Sequence, residues 1–170
     1  MLSSGRQSQF ETVVRAYSAE LYRYAYWLCR DRSTAEDLVQ ETFTRAWQGW
    51  KRLRDEKAAK SWLYTILRNE HARLYERKRF DIDETKELDE VMDTGGMNAY
   101  ERFEMRDALK ALPKSYSEPL LLQVLGGFSC REIAAKMDIS EGAVMTRLTR
   151  ARLALRKLTE RGIERKENVQ

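Results

Sequence analysis

The stretch Ser129–Leu158, SCREIAAKMDISEGAVMTRLTRARLALRKL, is the most informative in the chain. Ser129 followed three residues later by Glu132 has the form of a capping box, in which each side chain satisfies a free backbone N–H at a helix start. A short helix is expected from there to about Met137. Asp138-Ile139 then makes a turn, and Ser140 caps a longer helix from Glu141 to about Glu160. Short helix, tight turn and long helix in this order have the spacing of a helix-turn-helix.

The apolar residues fall where that motif needs them. Ile133, Ala134 and Met137 face inward from the first helix and Ile139 plugs the turn. Val144, Leu148, Ala151, Leu155 and Leu158 form the inward stripe of the second helix. At about 100° per residue, the opposite side presents Met145, Thr146, Thr149, Arg150 and Leu153, flanked by Arg147 and Arg152. A recognition helix enters the major groove with its amino-terminal part. This places Glu141, Met145, Thr146 and Thr149 near base edges, and Arg147, Arg150 and Arg152 near bases or phosphates.

Working outward, Asn98–Leu112 reads as a helix closed by Pro113. Ser115–Leu125 reads as another, with Pro119 tolerated in or near its first turn and Gly126-Gly127 ending it. Residues 81–97, DIDETKELDEVMDTGGM, combine repelling carboxylates with two glycines and offer little apolar area to offset ordering entropy, which marks a linker. Before it, Phe10–Cys29 repeats apolar and aromatic residues at steps of three and four. Ser33 with Glu36 suggests a second capping box, opening a helix from about Thr34 to Trp50. A charged loop, Lys51–Lys60, precedes a third helix that reaches about Arg79. With no strand run, the fold class is all-α: two small helical domains, residues 1–80 and 98–170, joined by the acidic linker 81–97.

Charge follows the same division. The net charge of +4 conceals two basic blocks around residues 81–100, which hold seven carboxylates and one lysine. Basic blocks favour a polyanion through counterion release. Cys29, Cys130 and the lone His71 have no metal-ligand spacing, so neither metal nor cofactor is expected, and both cysteines are expected to be buried. There is no signal-peptide core and no run of about twenty apolar residues, so a cytoplasmic location without membrane insertion is expected. No nucleotide-binding loop or Ser/His/Asp arrangement supports an enzyme.

In helix two, Asp37, Gln40, Glu41 and Thr44 share one side, while Leu38, Thr42 and Arg45 lie on another. In helix three, Trp62, Tyr64, Arg68, Asn69, Arg73, Arg77, Lys78 and Arg79 supply the aromatic, amide and cationic groups that hold unstacked bases and their phosphates. Asn69 and Arg73 share a face. For Trp62 and Tyr64, core packing and base contact both remain open. The residues alone also leave open a dimeric helix-turn-helix regulator and a helical adaptor with solubilising basic surfaces.

AEDLVQETFTRAW, KSWLYTILRNEHARLYERKR and ALPKSYSEPLLLQVLGGFSCREIAAKMDISEGAVMTRLTRARLAL, in that order, resemble the extracytoplasmic-function (ECF) group of sigma-70 family sigma factors over nearly the whole chain. The resemblance implies a factor that binds core RNA polymerase, recognises −35 and −10 promoter elements and directs transcription initiation. Region 2 is then residues 1–80, meeting the β′ clamp helices through Asp37, Leu38, Gln40 and Glu41. It melts the −10 element with the segment Arg54–Arg79, where Trp62, Asn69, Arg73, Arg77 and Lys78 are the DNA-binding candidates. Region 4 is residues 98–170, touching the β flap and reading the −35 duplex with Met145, Thr146, Arg147, Thr149 and Arg150. The linker is implied to pass near the nascent RNA, and an anti-sigma factor to cover both domains. Members of the group often carry a basic residue near the start of the recognition helix, where this chain has Met145, so the −35 sequence stays open.

Overall fold

A computed structural model describes the backbone over residues 2–78 and 99–167, and the side chains over residues 5–76 and 105–160. The expected linker 81–97 lies outside the described residues. The chain divides into two compact units, Met1–Val91 and Met92–Gln170. Among the described residues every regular element is helical, and no helix is long and apolar enough to cross a membrane.

The first unit contains α1 (Leu2–Cys29), α2 (Arg32–Gly49), two 3₁₀ turns (Trp50–Arg52 and Glu56–Ala58) and α3 (Ala59–Lys78). α1 begins well before the expected Phe10. It packs against both α2 and α3, and Leu21, Tyr24 and Ala25 are sealed in the core of this unit, as are Leu38, Ala46, Leu63 and Leu67. Phe10 lies against Phe43, Trp47 and Trp50, with ring centroids 6.4, 5.1 and 5.2 Å away. This aromatic cluster ties the start of α1 to the end of α2.

The α1–α2 connection is tight. Arg30 takes a left-handed conformation, φ 54°, and its N–H bonds to the Tyr26 carbonyl at 2.7 Å; for a residue other than glycine this costs about 1 kcal/mol. Asp31 repays part of it as the cap of α2, accepting from the Thr34 N–H at 2.7 Å and the Thr34 hydroxyl at 2.6 Å. The expected Ser33–Glu36 box is therefore corrected. A carboxylate two residues earlier reaches the same orphan N–H groups and starts the helix at Arg32.

Two carboxylates fasten α3. Glu20 of α1 accepts the Tyr64 hydroxyl at 2.8 Å and pairs with Lys60 at 2.9 Å. Burial, with that bond, pushes the Tyr64 phenol well above its ordinary range. Glu70, only 8% exposed, pairs with Arg45 of α2 at 2.8 Å and with Arg73 at 3.0 Å. Arg45 also holds Glu41 at 2.8 Å, so one chain of charges runs from the outer side of α2 to the outer side of α3.

The second unit contains α4 (Ala99–Ala111), α5 (Lys114–Val124), α6 (Cys130–Met137) and α7 (Glu141–Glu167). α7 packs against α4, α5 and α6. The box at α6 forms as the spacing predicts: the Glu132 N–H donates to Ser129 Oγ at 3.3 Å, and the Ser129 N–H donates to Glu132 Oε2 at 2.8 Å. Asp138 turns left-handed, φ 53°, and the Ile139 N–H returns to the Ala134 carbonyl at 3.1 Å. Ser140 caps α7 through the Ala143 N–H at 3.1 Å. Ile133, Val144, Leu148 and Ala151 are buried, whereas Leu155 and Leu158 are half-buried as α7 runs on beyond Glu160.

Two further expectations change. Pro119 lies in the second turn of α5, where its ring is buried in the core and offsets the backbone bond that it cannot donate. Cys29 and Cys130 are half-buried thiols at a helix end and a helix start, not core residues.

Gly126 has no room for a side chain: a Cβ there would stand 2.5 Å from the Phe128 ring and 2.7 Å from the Leu122 carbonyl oxygen. Gly126→Ala is expected to destabilise the second unit by about 1–3 kcal/mol. All four tryptophans lie in the first unit, so urea unfolding should show an earlier loss of helical circular dichroism with the tryptophan fluorescence transition unmoved. Glu70→Ala is the converse case. Removing the acceptor of two arginine hydrogen bonds should lower the fluorescence midpoint, with a loss of about 2 kcal/mol.

Candidate nucleic-acid interface

The outward side of α7 follows from its buried one. With Val144, Leu148 and Ala151 sealed, Met145, Thr146, Thr149, Arg150, Arg152 and Leu153 stand exposed, and Arg147 is half-buried at the edge. Thr146 and Thr149 each turn the hydroxyl down the helix, to the Gly142 and Met145 carbonyls, both at 3.0 Å. Arg152 reaches Gln123 of α5. It braces the two helices, whereas Arg150 is exposed on the side away from the buried stripe.

In the first unit the structure separates the four α2 candidates. Asp37, Gln40 and Glu41 are exposed and share a side with Thr44. Leu38, at 1% exposure, is turned into the core beneath them. Its expected place on the binding face is corrected: at i+1 from Asp37 a helical residue lies about 100° around the axis. Trp47, in contrast, is 45% exposed and continues the Gln40–Thr44 line by three residues. The three-residue step from Thr44 is what carries it to that side.

On α3, Asn69 and Arg73 are exposed on one side, with Trp62 half-buried beside them. Trp62 is packed on one edge and open on another. One edge packs against Gly49, where a Cβ would come within 2.9 Å of the indole, and against Trp50 at 6.3 Å between centroids. The ring also lines a cleft of about 510 Å³ with Arg52, Leu53, Arg54, Asp55 and Ala58. Tyr64 is entirely buried and leaves the list of base-contact groups. The side chains of Arg77 and Lys78, and all of Arg79, lie outside the described residues. Tyr75, 53% exposed and 6.3 Å from the His71 ring, was missed because a lone aromatic at helical spacing reads as core.

The cleft thus combines an aromatic wall, two arginines and one carboxylate at the junction of α2 and α3. Such a set of groups can stack an unpaired base, bond to its edge and neutralise its phosphate. Among the described residues no group of three or more His, Cys, Asp or Glu side chains stands close enough to hold a metal ion.

Comparison with known proteins agrees with this two-part arrangement. Residues 13–80 match the Sigma-70 region 2 family and residues 102–155 match Sigma-70, region 4. The ECF RNA polymerase sigma factor SigL of Mycobacterium tuberculosis is 33% identical over 156 residues, covering 88% of each chain. SigM of Bacillus subtilis, another ECF RNA polymerase sigma factor, is 27% identical over 158 residues, covering 90% of this chain and 96% of its own. Among solved structures, the sigma factor RpoE of Bartonella quintana, in complex with the anti-sigma factor NepR, superposes with a TM-score of 0.72 at 27% identity, over 91% of this chain and 96% of its own. CnrH, in complex with the cytosolic domain of CnrY, gives a TM-score of 0.65 at 26% identity, over 92% of this chain and 91% of its own. With both regions present in order and the helix-turn-helix formed in the second, this chain belongs to the ECF group of sigma-70 family RNA polymerase sigma factors, which act in transcription initiation.

Proposed function

We propose that the two units divide promoter recognition between them. The second unit holds the −35 element as duplex, with the exposed side of α7 in the major groove: Met145, Thr146 and Thr149 at base edges, Arg147 and Arg150 at bases or phosphates. The first unit opens the −10 element and keeps an unpaired base in the cleft walled by Trp62. Asn69 and Arg73 lie alongside it, and Arg77 and Lys78 lie further along α3 for the strand's phosphates. Asp37, Gln40 and Glu41, supported from beneath by Leu38, dock on the basic side of the polymerase β′ clamp helices, and the second unit touches the β flap.

The observation that carries this reading is the separation of faces on α7. Val144, Leu148 and Ala151 are sealed, both threonine hydroxyls are committed, and Arg150 is exposed on the side away from that stripe. A solvated structural helix has no need of an exposed methionine beside those threonines. The factor works where DNA and polymerase are, in the cytoplasm, and catalyses nothing itself. RpoE was solved with the anti-sigma factor NepR and CnrH with the cytosolic domain of CnrY, and an anti-sigma protein that covers both units is part of the proposal.

Two measurements test the division. Co-purification with core polymerase at moderate salt should recover a stable complex, and Asp37→Ala or Gln40→Ala should weaken it about tenfold, the value of one charge-assisted bond, with circular dichroism unchanged. Undiminished complex in both variants would remove the α2 face from the polymerase contact. Arg150→Ala should weaken holoenzyme binding to a −35 duplex by about 1–3 kcal/mol. Unchanged affinity would remove Arg150 from the groove.

A further inference from the structure

Base pairs differ in what they offer to the major groove. Guanine presents two acceptors, adenine an acceptor and a donor, cytosine a donor, and thymine an acceptor together with its C5-methyl group. The start of α7 is selective among these. Met145 is 57% exposed. The hydroxyl protons of Thr146 and Thr149 are already given to the Gly142 and Met145 carbonyls, so neither group donates to a base without breaking a bond in its own helix. What they offer outward is a methyl group and an accepting oxygen. Glu141, exposed in the first turn, only accepts. From Glu141 to Thr146 no side chain carries a free donor for the guanine acceptors, and the first cation, Arg147, lies half-buried at the edge.

We infer that Met145, with Thr146 and Thr149, forms a thymine-methyl reader. The −35 bases beneath the first two turns of α7 are A·T pairs whose C5-methyl groups pack on the thioether and the threonine methyls, and guanine is rejected there because its acceptors find no donor. Adenine N6–H and cytosine N4–H suit the accepting oxygens, and the thymine methyl decides between them. Arg150, five residues beyond Met145, serves a guanine or a phosphate further along. The inference rests on the reading of α7 as the −35 helix and adds the chemistry that it selects.

The test uses the full chain bound to core polymerase. A promoter duplex pool randomised over the −35 segment is enriched on the holoenzyme, and each thymine of the enriched site is then replaced singly by deoxyuridine, which removes the methyl and nothing else. At one or more adjacent positions the wild-type holoenzyme should lose about fourfold in affinity per methyl, the value of one buried methyl group. Met145→Ala, a change at an exposed position that leaves the fold intact by circular dichroism, should bind the thymine site less tightly and lose its sensitivity to deoxyuridine at one of them. Enrichment of a site that tolerates every deoxyuridine within about twofold, or of guanines under Met145, overturns the methyl reader and leaves the −35 assignment standing. No enrichment of any sequence, from a holoenzyme shown to have assembled, overturns the −35 assignment and the methyl reader with it.

Discussion

Everything that α7 presents outward depends on what it hides. Val144, Leu148 and Ala151 are sealed in a unit where α7 packs against α4, α5 and α6, and this fixes the rotation of the helix about its own axis. A helix free to roll by one residue would carry Met145 about 100° away from the exposed side. The lock is reinforced at the turn, where Asp138 accepts a left-handed backbone, the Ile139 N–H closes on Ala134 and Ser140 caps the next helix. Three inexpensive local devices thus convert an amphipathic stripe into a surface with a defined direction. The arginine-to-glutamine contact between Arg152 and Gln123 holds the same helix against α5 from its outer edge.

The first unit uses charge where the second uses caps. Glu20 draws the beginning of α3 onto α1 through Tyr64 and Lys60, and Glu70 draws its middle onto α2 through Arg45. Both carboxylates are largely shielded and both are satisfied, so their bonds are worth more than the exposed pairs on the helix surfaces. The chain Glu41–Arg45–Glu70–Arg73 has a functional consequence as well. It sets the position of an arginine proposed for DNA by reference to the helix proposed for polymerase. The aromatic cluster of Phe10, Trp47 and Trp50 closes the end of the bundle where the Trp62 cleft opens.

The helices and the helix-turn-helix were legible because they rest on periodicity and short-range capping, which sequence expresses directly. Ser129, Ser140, Val144 and Leu148 all take the places that their spacing assigns. Errors arose where two residues compete for one role. Asp31 and Ser33 can both cap α2, and the left-handed Arg30 gives the position to Asp31. The orientation of aromatics was the other blind spot: Trp47, Tyr64 and Tyr75 all occur at helical spacing, yet one is buried and two are exposed according to which neighbouring helix covers them. The cleft depends on Gly49 leaving space beside Trp62 and on the segment of two 3₁₀ turns that brings the exposed Arg52 and Arg54 to its wall. Neither has a periodic pattern, so the charged segment read only as a loop.

As an ECF sigma factor, this chain acts where a polymerase begins transcription. The most direct measurement is run-off transcription by purified core polymerase, with and without the chain, on fragments of the source genome, with the 5′ ends of the products mapped. The account predicts discrete start sites that appear only when the chain is added and that share one −35 and one −10 sequence at fixed spacing. Assembly of a stable complex that produces no chain-dependent start site, or starts scattered without a shared upstream sequence, would contradict it.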